Sequence, residues 1–414
     1  MRRYARLLSG AGLVAVLSLS PAVPAGAAPL RSGPAADGNR GQELPAIPST
    51  LKARADSCTP ASGKKAEKED WSRQRLDLEQ LHRHSTGAGV TVALIGTGVD
   101  PEAAGLSGRV TVRGAAGDDC VGHGTFLAGL IAGTGGDSPY LLGVAPEARI
   151  LALRGTDRHG TPAPGRVAEA LREATAAGVE VIAVTVALPR RDAELTRAVA
   201  EARRAGAVVV AAAAPDPPVA RSGETPSRLY WPAGEPGVLS VAGMLPDGTL
   251  PEGSLPTAGI DLVAPGAGVV SGGPHGDGHY LGGGAPVAAA YAAGAAATVR
   301  AARPGETADA VARRLRATAY PADIPQLDPY AAVTTVLGAS GAGGGRRAAV
   351  PVTVRETAAA DRVVGRATVL VMAGSAAVAG FLWVAYAVPR ARARRRLAAG
   401  TDAPGRSGGA MPRT

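Results

Sequence analysis

Six short apolar runs, recurring between residues 90 and 263 with helical patterns between several of them, constrain this chain more than any other feature. The runs are 90–95, 149–153, 179–186, 207–213, 238–242 and 261–263. The first is β-branched and bounded by glycines, and the others are similarly strand-like. Between them, residues 166–177 bring Val167, Leu171 and Ala174 to one helical face, and residues 192–205 do so with Leu195 and Val199. Strands alternating with helices predict βαβ units and a parallel sheet. Residues 70–338 therefore read as one α/β domain, which closes with an alanine-rich helix over 288–302 and a second helix over 307–318, Val311 and Leu315 facing inward. Aromatic residues are only 3% of the chain, so its core must be built from Val, Leu and Ala. No internal repeat is evident.

The two ends read differently. Arg2, Arg3 and Arg6 precede an apolar run from Leu7 to about Val23 and the small residues Ala25, Gly26 and Ala27, which is the pattern of a secretory signal peptide over 1–27. Residues 28–69 are rich in Pro, Gly, Ala and charge and read as an extension or wrapping arm. Residues 339–366, opening on a glycine-rich stretch, read as a flexible linker. Residues 367–388 carry no charge over 22 positions, enough for a membrane-spanning helix, with Phe381, Trp383 and Tyr386 as interfacial anchors. Arg390, Arg392, Arg394, Arg395 and Arg396 follow, so the positive-inside rule predicts a cytoplasmic tail over 389–414 and an extracytoplasmic domain.

The net charge of +9 resides in these ends: three arginines lie in the leader and an excess of six in the tail. The exported part is formally neutral, so its charge implies no nucleic-acid partner. The two cysteines, Cys58 and Cys120, both fall in the exported part, where an oxidising compartment and an even count favour a disulfide. That bond would tie the extension to the loop before His123.

Four segments, in order, resemble those of subtilases. Residues 92–100, Val-Ala-Leu-Ile-Gly-Thr-Gly-Val-Asp, resemble the strand and turn that carry the catalytic aspartate. Residues 122–129, Gly-His-Gly-Thr-Phe-Leu-Ala-Gly, resemble the histidine helix. Residues 143–150, Gly-Val-Ala-Pro-Glu-Ala-Arg-Ile, resemble the entry to the next strand, and 260–266, Ile-Asp-Leu-Val-Ala-Pro-Gly, the approach to the serine motif. The serine helix itself aligns without a gap on 284–300, Gly-Ala-Pro-Val-Ala-Ala-Ala-Tyr-Ala-Ala-Gly-Ala-Ala-Ala-Thr-Val-Arg, which places Pro286 at the nucleophile. A second register would place Gly282 there. Residues 207–215 resemble the strand that ends in the oxyanion asparagine, with Pro215 at that position. The leader, the two cysteines, the 327–332 ending Leu-Asp-Pro-Tyr-Ala-Ala and the membrane helix together are similar to mycosins, the membrane-anchored subtilases of type VII secretion systems.

The resemblance implies a subtilisin-like three-layer fold and a Ser-His-Asp peptidase, yet it places Gly96 at the acid, Pro286 at the nucleophile and Pro215 at the oxyanion donor. Only His123 keeps its family residue. Peptide hydrolysis by this mechanism needs a hydroxyl, a base, a carboxylate that orients the base and donors for the oxyanion. Gly96 offers no carboxylate, and Pro286 offers neither hydroxyl nor N–H. Asp100, Asp118 and Asp119 are the alternative acids near His123, while Ser254 and Ser271 read as loop serines. His82, His84, His159, His275 and His279 read as solvated, with no zinc spacing. The glycine-rich 272–284 lacks a phosphate-loop signature, and no EF-hand spacing occurs. Neither cofactor nor metal is expected. The expected function is that of a membrane-anchored, subtilase-fold pseudoprotease, a structural or peptide-binding part of a type VII secretion apparatus, with the secretion membrane complex or secreted peptides as partners. The alternative is an active peptidase with a non-standard triad.

Overall fold

The computed structural model describes residues 44–52, 57–136, 138–216, 228–337 and 358–398. The expected signal peptide, most of the linker and the last part of the tail lie outside these residues. The chain divides into two compact units, Met1–Leu337 and Gly338–Thr414.

In the first unit seven strands form one parallel sheet: β1 (Thr91–Gly96), β2 (Val110–Val112), β3 (Arg149–Arg154), β4 (Val181–Val184), β5 (Val208–Ala212), β6 (Leu239–Met244) and β7 (Leu262–Pro265), in the order β2-β3-β1-β4-β5-β6-β7. Each expected run became a strand, trimmed or extended by a few residues. β2 was not foreseen, because it is three residues long and half-exposed on the sheet edge. The strands are apolar on both faces because both faces are covered. Along β1, Val92 and Leu94 enter one core while Ala93 and Ile95 enter the other, and β3 and β4 alternate in the same way.

One layer contains α3 (His123–Ala132) and α6 (Ala285–Ala302), together with α7 (Ala308–Ala317) and α8 (Pro329–Thr334). The other contains α4 (Pro164–Ala176) and α5 (Ala193–Arg204). The amphipathic helices α4 and α5 bury Val167, Leu171 and Ala174, and Leu195 and Val199, as their spacing predicts. α6 is apolar on every side, and residues 285–299 are all buried. Its small side chains allow close approach: a β-carbon on Gly294 would lie 2.7 Å from Val144 Cβ.

The extension leads into two short helices, α1 (Trp71–Arg75) and α2 (Leu78–His82). Asp70 caps α1 and pairs with the buried Arg73, whose guanidinium also donates to the carbonyls of Leu142 and Val270. Strands β8 (Val269–Gly272) and β9 (His279–Gly282) form an antiparallel hairpin, the second strand lying within the glycine-rich 272–284. In the second unit, α9 (Ala358–Ala398) contains a stretch, Val371–Arg390, that is long and apolar enough to cross a membrane.

Candidate functional site at the carboxyl edge of the sheet

Parallel strands deliver their carboxyl ends, and the helix N-termini that follow, to one edge of an α/β sheet, where such proteins build their sites. β1 ends there at Gly96. The N–H of Gly124 donates to Thr97 Oγ1 at 2.8 Å, which fastens the first turn of α3, headed by His123, to the turn after β1.

Asp119 organises this turn from beneath. Its buried carboxylate accepts from Gly122 N at 3.0 Å, Thr125 N at 2.8 Å and Thr125 Oγ1 at 2.7 Å, satisfying donors that a helix N-terminus leaves open. Burial pushes its pKa up against the opposing pull of these bonds. Asp118 is exposed, 3.9 Å from Arg158. Asp100 faces the other way, accepting from His275 N at 3.4 Å. Thus each of the three alternative acids is engaged elsewhere, and among the described residues no carboxylate hydrogen-bonds to the His123 ring. The imidazole is 5% exposed, and burial pushes its pKa down to about 4. At neutral pH it is uncharged.

Gly96 is closely confined. A β-carbon built on it would lie 2.7 Å from Thr185 Oγ1, the hydroxyl of a buried threonine just beyond β4 that donates to Ile95 O at 3.0 Å. Pro286 is the second residue of α6, where a fixed φ and a missing N–H are tolerated. Gly282, the residue of the second register, lies on β9. Pro215 follows β5, next to Asp216, whose carboxylate would touch a β-carbon on Gly284 at 2.6 Å. Gly284 is the N-cap residue of α6 and holds φ +91°, a value favourable only to glycine. Burial pushes the Asp216 pKa up to about 6. A cavity of about 630 Å³ opens between Pro215, Asp216, Gly284 and residues 46–50 of the extension. Sequence reasoning missed Asp216, although a lone acid after an all-apolar strand was the available signal.

Three polar readings change. Ser271 is not a loop serine: it lies on β8, fully buried, and its hydroxyl donates to Phe126 O at 2.8 Å, which joins the hairpin to α3. His279 is not solvated: it is buried on β9, and its Nδ1 accepts from Ala66 N at 2.7 Å, which holds the extension down. His82 is partly buried, with Nε2 3.1 Å from Val144 O. Ser254 does occupy a loop.

Cys58 and Cys120 are bonded, with Cα atoms 4.6 Å apart. Alongside, Thr59 N donates to Cys120 O and Thr59 Oγ1 to Val121 O, at 2.9 and 2.7 Å. The extension is thereby stitched to the segment that leads into His123.

Comparison with known proteins places this arrangement. The model of the subtilase family, peptidase S8, matches residues 87–357. Mycosin-1 of Mycobacterium tuberculosis is 32% identical over 358 residues, covering 74% of this chain and 80% of its own length. Subtilisin BL of Lederbergia lenta is 32% identical over 253 residues, covering 60% of this chain and 90% of its own. Among solved structures, MycP3 protease from the type VII (ESX-3) secretion system superposes with a TM-score of 0.59 at 28% identity, covering 72% of this chain and 95% of that one. MycP1, described as a serine protease and an essential component of the type VII (ESX-1) secretion system, gives 0.59 at 27%, with 70% and 96% covered. With the family model matching most of its domain and mycosin-1 32% identical over most of both chains, this chain belongs to the subtilase family, as a member of the mycosin type.

Proposed function

We propose that this protein is a membrane-anchored subtilase-fold pseudoprotease, a structural or peptide-binding component of a type VII secretion apparatus. The single observation that carries the non-catalytic reading is Pro286 at the head of α6. It supplies no hydroxyl and no N–H, so both the nucleophile and one oxyanion donor are missing from the same residue. Gly96 and Pro215 extend the loss to the acid and a second donor. Removing one oxyanion donor costs about 100- to 1,000-fold in turnover, and these losses fall on different steps of one mechanism. His123 remains as a buried, neutral imidazole.

The association with type VII secretion is supported by the mycosin relatives, whose solved members are described as parts of such systems. Anchoring is supported by the apolar stretch in α9 and the arginines that follow it. In this reading residues 1–27 are an export signal, 28–69 the extension, 70–338 the subtilase-like domain, 339–366 the linker, 367–388 the membrane span and 389–414 the cytoplasmic tail.

The test is a fluorophosphonate probe, which labels only an activated serine. No adduct is expected on the purified chain. An adduct on any serine that disappears in His123→Ala would establish the alternative, an active peptidase with a reassembled triad.

A further inference from the structure

We infer that the basic end of α9 is a binding site for anionic phospholipid headgroups, whose phosphates are gripped by Arg390 and the four arginines after it. The inference rests on the anchoring reading above and adds the ligand that the anchor holds.

Sequence spacing sets the depth of the cluster. The apolar stretch Val371–Arg390 is 20 residues long, about 30 Å of helix, which matches the hydrocarbon thickness of a bilayer. Arg390, its last residue, therefore stands where hydrocarbon gives way to headgroups. Helix α9 continues to Ala398 and carries Arg392, Arg394, Arg395 and Arg396 onward. From Arg390 to Arg396 the helix rises about 9 Å, close to the roughly 5–8 Å depth of the headgroup layer on one side. The cluster thus spans a layer of phosphates.

Its own helix supplies no counter-charge. In the first unit, buried or half-buried arginines meet carboxylates, as Arg73 meets Asp70 and Arg314 meets Glu306. Along α9 no Asp or Glu occurs between Asp361 and Asp402, so no acid stands three or four residues from any arginine of the cluster. Such a run of cations beside a membrane span draws its anions from the lipid surface.

Arg390 shows how a guanidinium is presented. Its Cζ lies 3.7 Å from the ring centroid of Tyr386, one helical turn earlier, and both residues are exposed. Stacking occupies the flat face of the guanidinium. The N–H donors lie in its plane and point outward from its edge, where the oxygens of a phosphate can take two at once. Residue type supports the same partner: the cluster holds arginines and no lysine, although a topology signal needs only positive charge. A zwitterionic headgroup brings its own cation to its phosphate, so the lipid that fits carries a net negative charge.

The full chain, reconstituted in phosphatidylcholine vesicles with a minor share of phosphatidylglycerol, tests this. Trp383 is the only tryptophan of α9, and bromine on a lipid's acyl chains quenches it on contact; Trp383→Phe gives the background from the other two. Brominated phosphatidylglycerol should quench Trp383 roughly twofold or more beyond an equal amount of brominated phosphatidylcholine, and high salt should shrink the difference. Replacing the five arginines with Gln should abolish it, and replacing them with Lys should leave about half. Equal quenching by the two lipids, or a preference that survives in the Gln variant, would overturn the inference. A Lys variant as selective as wild type would overturn the phosphate grip and reduce the site to bulk charge. Release of the chain from the vesicles by alkaline carbonate would overturn the anchoring reading and this one with it, whereas a retained chain without preference overturns this one alone.

Discussion

The hydroxyl of Thr185 lies 2.7 Å from where a β-carbon on Gly96 would stand. A side chain placed at Gly96 is therefore obstructed by the neighbouring chain. Gly96→Ala should destabilise the domain by about 1–3 kcal/mol through overpacking. In a Thr185→Ala background the same change should cost about 1 kcal/mol less, because the two positions are in contact. Urea unfolding of the four proteins measures this, and strict additivity would contradict the packing. Gly96→Asp should restore no hydrolysis.

Acid should weaken the fold through His123. Its pKa is about 6.5 unfolded and about 4 in the native chain, so between these values only the unfolded state accepts the proton. Stability from this residue is present above pH 6.5 and declines as pH falls toward 4, by up to about 3 kcal/mol. The wild-type minus His123→Ala difference in stability should follow that curve. A difference flat from pH 7.5 to 4.5 would show that the ring titrates normally.

Asp216 should behave in the opposite sense. Burial raises its carboxyl to about 6, so the unfolded chain releases this proton first as pH rises, and stability is lost between about 4 and 6. Asp216→Asn should raise Tm at pH 7.5 and leave it nearly unchanged at pH 4. A lower Tm at pH 7.5 would mean that the carboxylate is held by a cation.

Removing the disulfide should loosen the extension. The bond spans a sequence separation of 62 residues, and in the chain-entropy model its loss costs about 4 kcal/mol. The Cys58→Ser, Cys120→Ser double variant should melt at lower temperature. Trypsin should also cut it sooner between residues 52 and 68 than the wild type. Equal cleavage rates would show that the hydrogen bonds of Thr59 and His279 suffice.

The arginines that close the apolar stretch of α9 predict a cytoplasmic tail. Protease added to intact protoplasts should digest the domain and spare a tag placed after Thr414; loss of the tag would reverse the orientation.

The sequence by itself determined the parallel sheet and most of its helices, because strands buried on both faces and helices buried on one must be written in apolar residues at fixed periods. It also determined the chemistry available at 96, 215 and 286, since a glycine and two prolines lack those groups in any fold. The β8–β9 hairpin was not legible, because glycines obscure a two-residue period. Only the tertiary structure decided what surrounds each site residue. Thr185 meets Gly96 from just beyond the end of β4, and Asp119 turns inward to hold α3. Ile47 reaches a pocket between Gly122 and Gly282, two residues far from it in the chain. These contacts join residues tens to hundreds of positions apart, and local propensity carries no information about which distant atom will occupy a given space.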